Sequence, residues 1–173
     1  RGWPAPAAAM TGYSTVEAAV RALEDGAVDF LAKPFTADEL AAGVRRAAAA
    51  GALLAAPAGA APAFVPPPSR FTRLGHLSWA AREPEGTALT GACDLFLRSL
   101  GGLRGAALAP VGTELVLGRP CAELTAPDGS VHPLLSPLGG RVVEANAAAS
   151  PETVEKDPYF AGWLYRVVPS DLE

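Results

Sequence analysis

Cys121 to Asn146 reads CAELTAPDGSVHPLLSPLGGRVVEAN, and the reading of this stretch decides the fold. Turn residues break it at Pro127-Asp128-Gly129 and again at Gly139-Gly140. The runs on either side predict two strands turning at the first break and two more at the second. Asp128-Gly129 suits a type I′ turn, whose central residues both need positive φ. His132 has no cluster of Cys, His or carboxylate at metal spacing around it, so it is expected to face solvent.

Outward from this stretch, from Arg70 on, turn residues punctuate short segments every eight to twelve positions, the pattern of an all-β domain. Thr87–Thr90, Gly112–Gly118 and Pro120–Thr125 predict strands, and Asp94–Leu100 one or two helical turns. Ser150-Pro151-Glu152 opens a brief helix, with a serine N-cap, proline at N1 and a carboxylate in the first turn. Asp157-Pro158-Tyr159 ends it, and Gly162–Val167 forms a last strand. Gly101-Gly102-Leu103-Arg104-Gly105 lacks the Lys-Ser/Thr of a phosphate loop and predicts a turn.

The N-terminal fifty residues differ in period. Ala5–Met10 and Val28–Ala32 are short apolar runs that predict buried strands. Ser14…Glu17 and Thr36…Glu39 are capping boxes, each opening a helix, with Gly26 ending the first and Arg45-Arg46 near the end of the second. Strand, helix, strand, helix implies a parallel α/β unit with a right-handed crossover. Between the halves, Ala47 to Ser69 carries no charge over 23 residues. Prolines at 57, 62, 66, 67 and 68 argue against a membrane span and for a semi-rigid tether, with Gly51 ending the helix before it. The expected organisation is 1–50, 51–69 and 70–173.

Composition sets limits. Net charge is −4 and the pI near 5.2, which leaves no electrostatic footprint for nucleic acid or an anionic membrane. Cys93 and Cys121 are too few for a disulfide framework and are expected to be buried free thiols. Only Lys33 and Lys156 supply lysine amines. No secretion leader is evident, and the start at Arg1 suggests that an upstream part is missing. No nucleophile–base set or metal cluster stands out, so the chain is expected to be neither an enzyme nor a cofactor or metal binder, and to be cytoplasmic.

Two resemblances follow from particular residues. Met10-Thr11-Gly12-Tyr13, Asp25–Leu31 and Lys33-Pro34-Phe35 resemble the last two βα units of a response-regulator receiver, a flavodoxin-like fold. The resemblance covers about residues 4 to 48. It implies an active-site hydroxyl at Thr11, a reporter aromatic at Phe30, an ammonium at Lys33 and a cis Lys33–Pro34 bond. The acidic pair and phospho-accepting Asp of that family lie on strands absent here.

Ser136-Pro137, Gly140-Arg141-Val142-Val143-Glu144, Asn146, and Ser150-Pro151-Glu152 leading to Asp157-Pro158-Tyr159 and Gly162-Trp163-Leu164 resemble the H-protein of the glycine cleavage system. This covers about residues 72 to 168 and implies a mainly-β barrel-sandwich hybrid with short helices. In that family a hairpin lysine carries lipoic acid, whereas here the position falls on Gly129, beside Asp128. His76 near Trp79 matches an early family pattern and is expected to pack. The expected function is a non-enzymatic two-component-type signalling or adaptor protein, a receiver fragment tethered to a degenerate lipoyl-carrier-like module. Its partner would be an unidentified protein, with a sensor kinase acting through a full-length receiver. The alternative is an H-protein-like aminomethyl or lipoyl carrier.

Overall fold

The computed structural model describes residues 6–12, 16–55 and 63–170, without the side chains of Thr11 and Ala32. Ser14 and the middle of the proline tract lie outside these residues. The chain opens with β1 (Ala8–Thr11), α1 (Val16–Glu24), β2 (Asp29–Ala32) and α2 (Ala37–Leu54). β1 and β2 pair in parallel, Ala8 opposite Asp29 and Thr11 opposite Ala32. Thr36 caps α2, its hydroxyl accepting from Glu39 N–H at 3.2 Å while the Glu39 carboxylate accepts from Thr36 N–H at 2.7 Å. α2 continues through Gly51 to Leu54, correcting the expected stop. There the missing side chain admits Pro6, which a Cβ would strike.

The remainder is β3 (Thr72–Leu74), β4 (Ser78–Arg82), β5 (Ala88–Ala92), α3 (Asp94–Ser99), β6 (Gly105–Leu108), β7 (Glu114–Leu115), β8 (Pro120–Thr125), β9 (Val131–Leu135), β10 (Gly140–Ala145), α4 (Pro151–Lys156) and β11 (Tyr165–Pro169). A six-stranded antiparallel sheet runs β3-β4-β5-β11-β10-β7, and a three-stranded one β6-β8-β9. β9 and β10 therefore belong to different sheets. Gly139-Gly140 is a crossing between layers, not the second hairpin turn expected from the sequence. It is glycine because a Cβ on Gly140 would lie 2.8 Å from Pro169 Cα, with φ at +150°.

Between the layers sit Leu74, Phe96, Leu124, Leu134, Val142, Leu164 and Val167, all buried. Tyr165 is fully buried among them and satisfies its hydroxyl twice, donating to the Cys121 carbonyl at 2.8 Å and accepting from Ala109 N–H at 2.7 Å. Ser150 caps α4, accepting from Thr153 N–H at 3.2 Å, with Pro151 at the first helical position.

The α/β unit is not held at arm's length. Leu23 of α1 is 1% exposed within the β-domain core. Its carbonyl and Cβ lie 3.0 and 3.1 Å from where a Gly75 side chain would start. α1 also covers Gly118, where a Cβ would meet Val20 Cγ2 at 2.8 Å. The far end of the proline tract is pinned as well. Val65 N–H donates to Asp94 Oδ2 at 2.6 Å, and Tyr159 donates its hydroxyl to the Val65 carbonyl at 2.7 Å.

Candidate functional site

The exposed tip between β8 and β9 is where the sequence directs attention. Gly129 N–H donates to the Ala126 carbonyl at 2.9 Å, so Pro127 and Asp128 form the centre of the turn. No residue other than glycine has positive φ among the described residues, and Gly129 takes +86°. The expected type I′ turn is therefore not formed. Proline fixes φ near −65° and selects instead the type I arrangement, with proline second and glycine fourth. The Asp128 carboxylate accepts from the Ser130 hydroxyl and backbone N–H at 2.5 and 2.9 Å, which holds it below the usual carboxylate range.

A Cβ on Gly129 would meet nothing within 4 Å, so a side chain has room here but none is present. The lipoyl arm implied by the family resemblance needs a lysine amine to form its amide. Neither Asp128 nor Gly129 has one, and Lys156 is exposed in the last turn of α4 rather than on the hairpin. The residues at the tip do not fit the group.

Behind the tip the structure overturns an expectation. His132 is 3% exposed, not solvent-facing. Its Nδ1 accepts from Arg46 Nη1 at 2.5 Å, and its Nε2–H then donates to Ser130 Oγ at 2.8 Å, which donates on to Asp128. Arg46 also pairs through Nη2 with the buried carboxylate of Asp29. A hydrogen-bonded chain thus runs Asp29–Arg46–His132–Ser130–Asp128, from the α/β unit to the hairpin tip. Burial and then Arg46 push His132 down from 6.5 to about 4, with Asp128 opposing and Arg45 adding to the shift. Burial raises Asp29, partly offset by Arg46 and the Phe30 N–H. Sequence reasoning missed Arg46 as the partner of His132 and Asp29 as the partner of Arg46.

The residues assigned by the receiver resemblance lie on and just after β1 and β2. Thr11 ends β1 opposite Ala32, with Lys33 next along and exposed. The Lys33–Pro34 peptide is cis. Phe30 is half-buried against the β-domain core. Cys93 and Cys121 are buried free thiols, each pushed up to about 12 by burial. His76 is half-buried and lowered by burial and by Arg73. Among the described residues there is no group of three or more His, Cys, Asp or Glu placed for a metal, and no helix long and apolar enough to cross a membrane.

Two antiparallel sheets enclosing one core, short helices at the margins and a protruding β8–β9 hairpin define an H-protein-like β half-barrel or sandwich. The glycine cleavage H-protein family model matches residues 71–173, and the chain belongs to that family. It is 42% identical over 82 residues to the glycine cleavage system H protein of Beutenbergia cavernae, covering 46% of this chain and 65% of that one. The H protein of Hydrogenovibrio crunogenus is 33% identical over 107 residues, covering 61% and 82%. The crystal structure of an H protein from Mycobacterium marinum superposes with a TM-score of 0.55 at 32% identity, covering 61% of this chain and 88% of that one.

These matches overturn the expected two-component signalling function and the response-regulator and phosphorelay terms attached to it. The relatives are glycine cleavage proteins, and neither receiver nor signalling protein supports the first reading. The alternative reading fits better. The receiver resemblance of residues 4–48 keeps its motifs but gains no support from the family match, which begins at residue 71.

Proposed function

We propose that the chain serves the glycine cleavage system as a non-enzymatic H-protein-like component that docks as the family docks but carries no lipoyl arm of its own. Kinship with glycine cleavage H proteins supports the choice of system. One observation carries the rest: the hairpin tip is an Asp128–Gly129 turn with Gly129 at φ +86° and no amine. Group carriage by a lipoyl amide requires that amine, so the transfer half of the carrier role drops out and docking is the role that remains. Pairing of Asp128 with Ser130 makes the tip a self-satisfied turn, consistent with a presented surface.

The test has two arms. Co-expression with a lipoyl ligase followed by intact-mass measurement is expected to show the unmodified chain; a lipoyl increment would restore full carriage and sink the proposal. Added to a reconstituted glycine cleavage reaction run by a separate lipoylated H protein, excess chain is expected to slow turnover competitively. Unchanged turnover at large excess would remove the docking role.

A further inference from the structure

Phe64-Val65-Pro66-Pro67-Pro68 lies as a strap on the β domain and is unused by the proposal above. Proline fixes φ, and each residue before a proline is pushed to extended backbone, so the strap has the form of a polyproline II ligand. Prolines carry no N–H, which leaves Val65 as the residue of the Val-Pro-Pro-Pro run able to donate. Its backbone is read in both senses. Val65 N–H donates to Asp94 Oδ2 at 2.6 Å and its carbonyl accepts from the Tyr159 hydroxyl at 2.7 Å, while its side chain stays exposed. Both recognising groups are positioned without the strap. The Asp94 side chain is 3% exposed and its Oδ2 also accepts from Arg98 Nε at 2.9 Å, while the Tyr159 hydroxyl accepts from Asp94 N–H at 3.0 Å. Tyr159 belongs to an aromatic group with Phe71, Trp79 and the exposed Phe160, ring centroids between 4.9 and 6.4 Å apart. Aromatic-lined seats are a general means of holding proline-rich peptides. The strap fills this seat incompletely. A cavity of about 100 Å³ remains between Phe64, Pro66 and Pro67 on one side and His76, Cys93 and Leu95 on the other. Well-packed contacts leave few voids larger than a water molecule, so a ligand with a bulkier group here would hold the seat better.

We propose that this seat is a docking site for an extended proline-rich segment of a partner protein, and that the strap is its built-in competitor. The fitting sequence is aromatic–aliphatic–Pro–Pro, read through one backbone N–H and one carbonyl, with a group larger than phenylalanine in the place of Phe64. Loss of the strap leaves the Asp94 carboxylate one donor short and the Tyr159 hydroxyl without its acceptor, so the open seat takes up another extended peptide that restores both. A segment of the same chain is present at an effective concentration in the millimolar range or above. The partner therefore engages only where its own affinity or local concentration exceeds that threshold, and the strap keeps weak proline-rich peptides out.

A synthetic peptide of residues 63–69, titrated into the full chain in three forms, tests the inference by calorimetry and by amide NMR shifts. The forms are the unsubstituted chain, a chain with residues 64–68 replaced by glycine and serine, and Val65→Pro, which deletes the donor to Asp94 by one change. Both variants are expected to bind saturably, with a dissociation constant on the order of 0.1–1 mM and shifts at Asp94 and Phe160. The unsubstituted chain should bind about tenfold more weakly or worse, because the strap competes. Tens of millimolar peptide should nevertheless displace the strap and move the Val65 and Asp94 amides. A peptide carrying Phe64→Trp should bind at least as tightly as the native sequence. One carrying Val65→Pro should bind about tenfold more weakly, the worth of one charge-assisted hydrogen bond. No saturable binding to a folded variant overturns the site, and so do unmoved amides in the unsubstituted chain, whether or not the variants fold. Equal affinity for the Val65→Pro peptide overturns the backbone reading, and weaker binding of the Phe64→Trp peptide overturns the size assignment. Dimerisation of the unsubstituted chain that the peptide reverses would give the seat to a second copy and overturn the assignment to a partner protein.

Discussion

Leu23→Ala tests whether the α/β unit is part of the β-domain core or merely leans on it. Leu23 is 1% exposed, grouped with Leu74, Leu97 and Leu115 of the β domain, and its neighbour across the seam is Gly75. Truncating a fully buried leucine removes about three carbons, roughly 2 kcal/mol of transfer free energy at ~0.8 kcal/mol per CH₂. Incomplete collapse around the hole raises the expected loss to about 3–4 kcal/mol. For a chain of this size each kcal/mol lowers the melting midpoint by about 2–4 °C, so a drop of about 6–15 °C is expected. The assay is thermal unfolding followed by tryptophan fluorescence in a Trp3→Phe background, so that Trp79 and Trp163, both in the β domain, are the reporters. Val44→Ala, at a position 60% exposed on α2, is the control and should move the midpoint little. A midpoint shift for Leu23→Ala no larger than the control's would refute the shared core, because a separately folding unit leaves Trp79 and Trp163 unaffected.

The remaining predictions concern single groups. His132 titrates near 4 when folded against 6.5 ordinarily, so the unfolded chain binds the extra proton between those values. Stability should be complete above pH 6.5 and fall toward pH 4. The half-buried His76, also lowered, acts in the same direction, while Asp29, raised by burial, offsets part of the loss at the acid end. His132→Asn should flatten melting midpoint against pH over that window, and an unchanged slope would remove His132 as its source. Tyr165→Phe strips one hydroxyl from the Cys121 carbonyl and the Ala109 N–H and should cost about 1–3 kcal/mol in urea unfolding, with no loss counting against the pairing. Cys93 and Cys121 should resist a thiol reagent at pH 8 until urea unfolds the chain, because burial holds both thiols protonated and covered; rapid native labelling would contradict that.

What the sequence revealed and what it hid divide along physical lines. Thr36…Glu39 and Ser150-Pro151 are legible because a cap is made within four residues, and both are capped as expected. Gly139-Gly140 is not, because positive φ serves a hairpin turn and a close backbone crossing equally well; only the approach of Pro169 and Val168 distinguishes them. At the tip, Asp-Gly alone points to a type I′ turn centred on Asp128-Gly129, while Pro127 favours a type I turn one residue earlier, with proline second and glycine fourth; both are legible in the sequence, and the Gly129 N–H to Ala126 carbonyl bond shows that the second forms. His132 is different again. Nothing within its own strand says that it is covered, since the covering group is Arg46, and that assignment requires knowing that Arg46 of α2 reaches His132 of β9. A partial signal did exist: Ala42, Arg46 and Ala50 recur every fourth residue, and all three are buried, so Arg46 stands on an apolar stripe where a charge needs a partner. Asp29, opening an otherwise apolar strand, is the complementary oddity. Two opposite charges on the buried faces of consecutive elements predict a pair. The third member, His132, could be reached only through packing, and it is this contact that ties the hairpin of an H-protein fold to an N-terminal unit lying before the family match.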